Sequence, residues 1–234
     1  MVVFGPDSVF GASDGLVMET KEYSVRITKF GHACLLIETA AARVLIDPGE
    51  WSSGFESLKN LDAVLITHSH PDHLVPNNLV DLAANNPDMK VYADPDSVAL
   101  LARDGRIHGQ EVVAGDKFEA AGVEVTVWGE RHAIVHPDVP AITNNGYYLD
   151  GFYYPGDSFT QVPQPVKVLA LPLSAPWSKV SETVDFVRSL ASEVAVPVHD
   201  AFLSKPELYE TIIGRLAGEG FRLVHLDTGR SYDL

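Results

Sequence analysis

The run Thr67-His68-Ser69-His70-Pro71-Asp72-His73 places three imidazoles and one carboxylate within six residues. Imidazole nitrogen and carboxylate oxygen are ligands of zinc, manganese and iron, and no structural role needs them at this density. The run is too crowded for one tetrahedral ion but suits two. His68 and His70 would face one, while Asp72 and His73 turn toward a neighbour. Matching groups recur downstream, at His132, Asp157 and His199, so a metal-dependent enzyme is the expectation.

The elements that must position these groups are mostly strands. Val25–Phe30 alternates with period two, and residues 33–38 and 43–46 follow. Leu61–Thr67 is a short apolar strand that ends at the histidine cluster. Residues 77–84 and 97–103 read as helices around a short strand at 91–93. Strands return at 112–118 and 123–128, then at 145–149 and 151–154, the last two joined by Asp150-Gly151, a strong hairpin signal. Residues 166–171, 194–198 and 223–226 complete the strands, and 181–191 and 206–217 complete the helices. Each candidate ligand lies just past an apolar strand, so strand ends converge on one rim. Two mixed sheets packed together, with helices outside, are the architecture this pattern suggests.

At 234 residues and 46% hydrophobic, the chain can bury one large core as a single domain. Its net charge of −15 argues against a phosphate-backbone partner, because non-specific nucleic-acid affinity comes from Lys and Arg. A small molecule is the expected partner, with no nucleic acid and no membrane; a homo-oligomer is compatible with all of this. The one cysteine, Cys34, reads as a core thiol within the apolar run 33–37. The first twenty residues show no signal peptide and no membrane span, which makes the cytoplasm the default location. Residues 1–22 read as a loose N-terminal arm, and residues 23–234 as the single domain.

In order, Asp47 of Leu45-Ile46-Asp47-Pro48-Gly49, the His68–His73 cluster, His132, Gly156-Asp157-Ser158 and Val198-His199-Asp200 resemble the motifs of the metallo-β-lactamase superfamily. The resemblance runs from about Val25 to His199. It implies an α/β (α+β) four-layer αββα sandwich of two mixed β-sheets, with the metal site at one edge. It also implies that His68, His70 and His132 hold a first divalent ion and Asp72, His73 and His199 a second, with Asp157 bridging. Asp47 would support a ligand histidine by hydrogen bonding. The segment Lys29-Phe30-Gly31-His32-Ala33-Cys34 and the Gly-Asp-Ser form around Asp157 are most similar to the L-ascorbate-6-phosphate lactonase-like branch of metal-dependent hydrolases.

Two bound ions bring a bridging water near neutrality and polarise a scissile group, so no serine or cysteine nucleophile is needed. Asp72 is the catalytic candidate, placed to orient the resulting hydroxide or take its proton. The expected reaction is hydrolysis of an ester, lactone or phosphoester of a small molecule. One-iron, oxygen-dependent redox chemistry on the same ligands is the alternative, and the ligands suit zinc and manganese equally. His132 and His136, four residues apart, compete for the third position on the first ion, the family position favouring His132. His32, His136, Trp177 and Lys179 are candidates for supporting or substrate contacts. Trp177 would stack on a substrate ring and Lys179 would meet an anionic group.

Overall fold

All four residues of Ala63–Ile66 are buried, because this strand is covered on both faces. Ala63 and Leu65 enter a central core, while Val64 and Ile66 enter an outer one. Alternate residues of a strand point to opposite faces, so a continuous apolar run is what a doubly covered strand requires.

A computed structural model describes residues 25–234; the expected arm, residues 1–22, lies outside the described residues. The elements run β1 (Arg26–Lys29), β2 (Leu35–Glu38), β3 (Arg43–Ile46), β4 (Ala63–Ile66), α1 (Pro76–Asn85), β5 (Lys90–Ala93), α2 (Pro95–Asp104), β6 (Gln110–Glu111), β7 (Lys117–Ala120) and β8 (Val123–Trp128). Then follow β9 (Gly146–Leu149), β10 (Phe152–Tyr154), β11 (Val168–Pro172), α3 (Val180–Leu190), β12 (Val194–Val198), α4 (Pro206–Leu216), β13 (Arg222–Leu223) and β14 (Ser231–Asp233). The first sheet has the order β14-β1-β2-β3-β4-β5-β6, and the second β13-β12-β11-β10-β9-β8-β7.

Each sheet begins as an antiparallel meander and continues as parallel strands. β1 to β3 and β7 to β10 pair antiparallel, whereas β3 to β6 and β10 to β13 pair parallel. The β9–β10 hairpin turns at Asp150 (φ 48°) and Gly151 (φ 87°), the two positive values that a type I′ turn needs.

The central core joins Ile27, Ile37 and Val44 of the first sheet to Val127, Phe152 and Val196 of the second. An outer core packs the first sheet against Leu79 and Leu82 of α1 and Leu101 of α2. The other packs the second sheet against Val184 and Phe186 of α3 and Ile213 of α4. The result is the four-layer αββα sandwich. Two buried tyrosines tie the sheets together near the rim: the Tyr147 hydroxyl donates to the Ile66 carbonyl (2.7 Å) and the Tyr154 hydroxyl to that of Ala33 (2.8 Å). Cys34 is buried in the outer core, and burial pushes its thiol up.

Two elements depart from the sequence reading. The expected strand at 112–118 is interrupted, because Gly115 (φ 96°) allows a turn in which the Asp116 N–H donates to the Val113 carbonyl. β6 therefore ends before the turn and β7 starts after it, in the other sheet. After β13 the chain crosses to the first sheet, where β14 pairs antiparallel with β1, Arg26 facing Asp233.

Candidate metal centre

Strands β1, β3, β4, β8, β10, β11 and β12 all end at one rim, where carboxyl ends of parallel strands commonly build sites. Their following loops carry, in turn, His32, Asp47, His68–His73, His132, Asp157, Trp177 and His199. The loops meet with little room to spare. A Cβ on Gly49 would lie 1.8 Å from the Asp72 carbonyl oxygen, so only glycine lets the Asp47 loop pass the histidine loop. Asp47 (φ 48°) and His199 (φ 59°) both hold left-handed backbone, a conformation that non-glycine residues keep at functional positions.

Outer hydrogen bonds decide which ring nitrogens face inward. Asp47 accepts from the Thr67 N–H (2.8 Å), the Thr67 hydroxyl (2.6 Å) and His73 Nδ1 (2.7 Å). The Thr67 hydroxyl directs its hydrogen to Asp47, so its oxygen accepts from His68 Nδ1 at 2.9 Å. His199 Nδ1 donates to the Ser174 carbonyl (2.9 Å), and His132 Nδ1 to that of Ala133 (2.6 Å). His68, His73, His132 and His199 are thereby left with their Nε2 lone pairs pointing inward, the arrangement a metal-binding imidazole requires.

His32 is set the other way. Its Nδ1 accepts the Ala201 N–H at 3.1 Å, so its neutral ring carries the proton on Nε2. That nitrogen lies 3.3 Å from Asp72 Oδ2 and points into the site as a donor.

The inward atoms form three overlapping groups: His68, His70 and His132; His68, His73 and Asp157; and His32, Asp72, His73 and His199, with donor atoms within 4.8 Å of one another in each. Asp157 lies between the two ends. Its Oδ1 is 3.3 Å from His73 Nε2, and its Oδ2 is 3.0 Å from His199 Nε2 and 3.3 Å from His132 Nε2. His73 Nε2, His199 Nε2 and Asp157 Oδ1 are buried with no hydrogen-bond partner. Such orphaned atoms are costly unless something binds them. This donor set could hold divalent metal ions.

The electrostatics agree with a site built for positive charge. Burial lowers His68 and His70, and neighbouring imidazoles lower them further. Burial would lower His73 too, but Asp157 and Asp47 outweigh it and hold the ring well above the ordinary histidine value. His199 is raised to about 9, with Asp157 and Asp72 overcoming its burial. Burial would raise both carboxyls; instead His199, His32 and His73 hold Asp72 far below the carboxylate range, and His199, His73 and His132 do the same to Asp157. The raised values of His73 and His199 mark the place where cations would be held.

The structure brings His32, Asp47, His68, His70, Asp72, His73, His132, Asp157, Trp177 and His199 together, but not His136 or Lys179. The His136 side chain is 63% exposed, its Nδ1 accepts the Asp138 N–H at 3.1 Å, and its loop carries it away from the cluster. The Lys179 side chain is 81% exposed beside Glu182, because it stands at the N-terminus of α3. Trp177 also has a part in the site beyond the stacking expected of it. Its indole N–H donates to Asp157 Oδ2 at 2.9 Å and so fixes that carboxylate. Thr67 and Asn144 were not anticipated. Asn144 accepts the Asp157 N–H (2.9 Å) and donates to the Pro155 carbonyl. Thr67 had a signal, its place between β4 and His68; Asn144, thirteen residues from the group it holds, had none.

The family described as the β-lactamase superfamily domain matches residues 26–199. Protein Rv0786c of Mycobacterium tuberculosis is 40% identical over 198 residues, which cover 82% of this chain and 91% of that one. A UPF0173 metal-dependent hydrolase of Pyrococcus furiosus is 27% identical over 237 residues, covering 90% of this chain and all of its own. Among solved structures, Igni18, a metallo hydrolase of Ignicoccus hospitalis, aligns at a TM-score of 0.70 over 90% of this chain and 98% of that one. Its 20% identity makes this a likeness of fold. The matched stretch begins at β1 and ends on His199, spanning the whole set of convergent groups, and the chain belongs to the metallo-β-lactamase superfamily.

Proposed function

We propose that the protein is a metal-dependent hydrolase that holds two divalent ions and cleaves an ester, lactone or phosphoester of a small molecule. The observation that carries this reading is the set of inward lone pairs, each fixed by an outer hydrogen bond, around a carboxylate placed between two groups of imidazoles. The hydrolase names borne by the Pyrococcus and Ignicoccus proteins support it. His68, His70 and His132 would hold the first ion, Asp72, His73 and His199 the second, with Asp157 reaching both. Zinc and manganese suit these ligands equally.

When bound, the ions supply an activated water and an electrophile at neutral pH. The chain's own part is orientation and proton handling. Asp47 and Thr67 hold the rings of His73 and His68, and Trp177 and Asn144 hold Asp157. Asp72, with a side chain 13% exposed, stands at the open lip, where it can orient the attacking water and receive its proton. A small-molecule substrate accords with the net charge of −15, which disfavours nucleic acid. No helix among the described residues is long and apolar enough to cross a membrane.

Elemental analysis of protein purified without chelators, followed by ester, lactone and phosphodiester substrates, tests the reading. About two zinc or manganese ions per chain are expected, and His70→Ala should empty at least one position and abolish turnover in a folded protein. Full activity in that variant sinks the proposal. One iron per chain with oxygen consumption replaces it with redox chemistry.

A further inference from the structure

We propose that the substrate is uncharged and carries an aryl or alkyl group that lies on Trp51 and Phe202. The inference rests on the hydrolase reading and narrows it to carboxylic esters and lactones. The two rings meet edge to face at 4.7 Å, and both contact His32, at 5.0 and 5.5 Å. Phe202 also comes within 6.1 Å of His199. They nevertheless remain 42% and 54% exposed, respectively, beside the Asp72–His199 group.

The opposite lip is also apolar. Ile134, Val135 and Val139 line a cavity that includes His70 and His132. Five of the eight large hydrophobic side chains exposed among the described residues lie on these two lips. Scattered exposed apolar residues need no explanation, but their concentration around a site does.

Charge points the same way. Every ion pair that Asp47, Asp72 and Asp157 make among the described residues is with a histidine. Lys29 is buried against Asp200 and the Pro197 carbonyl, and Lys179 stands in solvent beside Glu182. Neither of these two lysines is therefore placed to receive a carboxylate or phosphate on the substrate. The three carboxylates and one hydroxide would balance two divalent ions, which leaves no surplus positive charge to attract an anion. The rings also have a firm base. The His32 ring beneath them is buried and locked by the Ala201 N–H, so the aromatic pair is a preformed surface.

The test uses metal-loaded protein with 4-nitrophenyl acetate, butanoate and hexanoate, and the anionic hemisuccinate ester. Binding of the uncharged ketone 4-phenylbutan-2-one is measured separately by calorimetry. We expect kcat/KM to rise roughly threefold per added methylene, as burial of apolar surface dictates. The hemisuccinate should fall below the butanoate. In Trp51→Ala/Phe202→Ala the chain-length dependence should flatten and ketone affinity drop at least tenfold, with metal content unchanged. Phe202→Ser alone, at an exposed position, should give a part of each effect if the double variant fails to fold. A flat chain-length series, a preference for the anionic ester, or unchanged ketone binding in the variants overturns the proposal. A wild-type dimer that the variants make monomeric, with ketone binding unchanged, gives the two lips to a second copy and also overturns it. Absence of metal and of any ester cleavage sinks the hydrolase reading instead, and the ketone still decides the apolar surface.

Discussion

The two sheets serve the site by different means. The first places Asp47 after β3 and then His68, His70, Asp72 and His73 in a single loop after β4. The second contributes one group per strand end: His132 after β8, Asp157 after β10 and His199 after β12. The first arrangement is set locally, since six consecutive residues cannot stray far from one another. The second depends on the whole sheet, because correct strand order and register alone bring those three groups together. A concentrated loop can thus organise one half of a centre, while the other half, and the link between them, depends on tertiary structure.

That contrast is sharpest at Asp157, the dispersed group that reaches both ends. Asp157→Asn keeps the size and an oxygen to accept the Trp177 N–H, but removes the charge that faces His73, His132 and His199. Its effect should exceed the roughly 10- to 100-fold loss of metal affinity typical of outer hydrogen-bond partners. Metal content should fall from about two ions to below one, and turnover to background, in a protein that still folds. His132→Ala should cost only the first ion. If Asp157→Asn keeps both ions, the dispersed half does not link the site, and the concentrated loop suffices.

The same contrast governs what was legible in the sequence. The cluster at His68–His73 announces itself by density, and β4 by its apolar run, because both signals are short-range. Asp157 and His199 became legible only as members of an ordered set, since a single Asp in a turn or a single His after a strand says nothing alone. Trp177 was placed at the rim, but its hydrogen bond to Asp157 was not foreseen, because that bond spans loops after two different strands. The strand split at Gly115 and the late return of β14 to the first sheet escaped for related reasons. One is a turn within an alternating run, the other a long-range pairing with weak local pattern.

A smaller effect comes from the raised histidines, at the place where cations would be held. In the metal-free protein the folded pKa of His199 is raised to about 9, against about 6.5 for an unperturbed histidine. A raised folded value contributes stability that is fully present below pH 6.5 and is lost as pH climbs through about 9. His73 is raised and acts in the same sense, whereas His32, His68 and His70 are lowered and stay neutral across that window. The Tm of metal-free protein should therefore fall between pH 6.5 and 9 by a few degrees per pH unit, roughly what one proton gives a domain of this size. Metal-loaded protein should show the opposite trend, because ions compete with those same protons. Scanning calorimetry at several pH values checks both; parallel curves would mean that the raised histidines do not face the ions.

The smallest effect is expected where the sequence offered a histidine and a lysine that the fold leaves in solvent. His136 sits four residues beyond His132 and would be as good a ligand by type alone. The loop that follows β8 turns its ring out toward Asp138, while His132 is held inward by its own bond to the Ala133 carbonyl. Lys179, likewise, is committed to Glu182 at the start of α3. His136→Ala and Lys179→Ala should each leave metal content at the wild-type value and kcat/KM within about twofold, as surface substitutions ordinarily do. A tenfold loss in His136→Ala would show that its loop folds inward over bound substrate. The second half of the site would then be completed by the ligand and not by strand order alone.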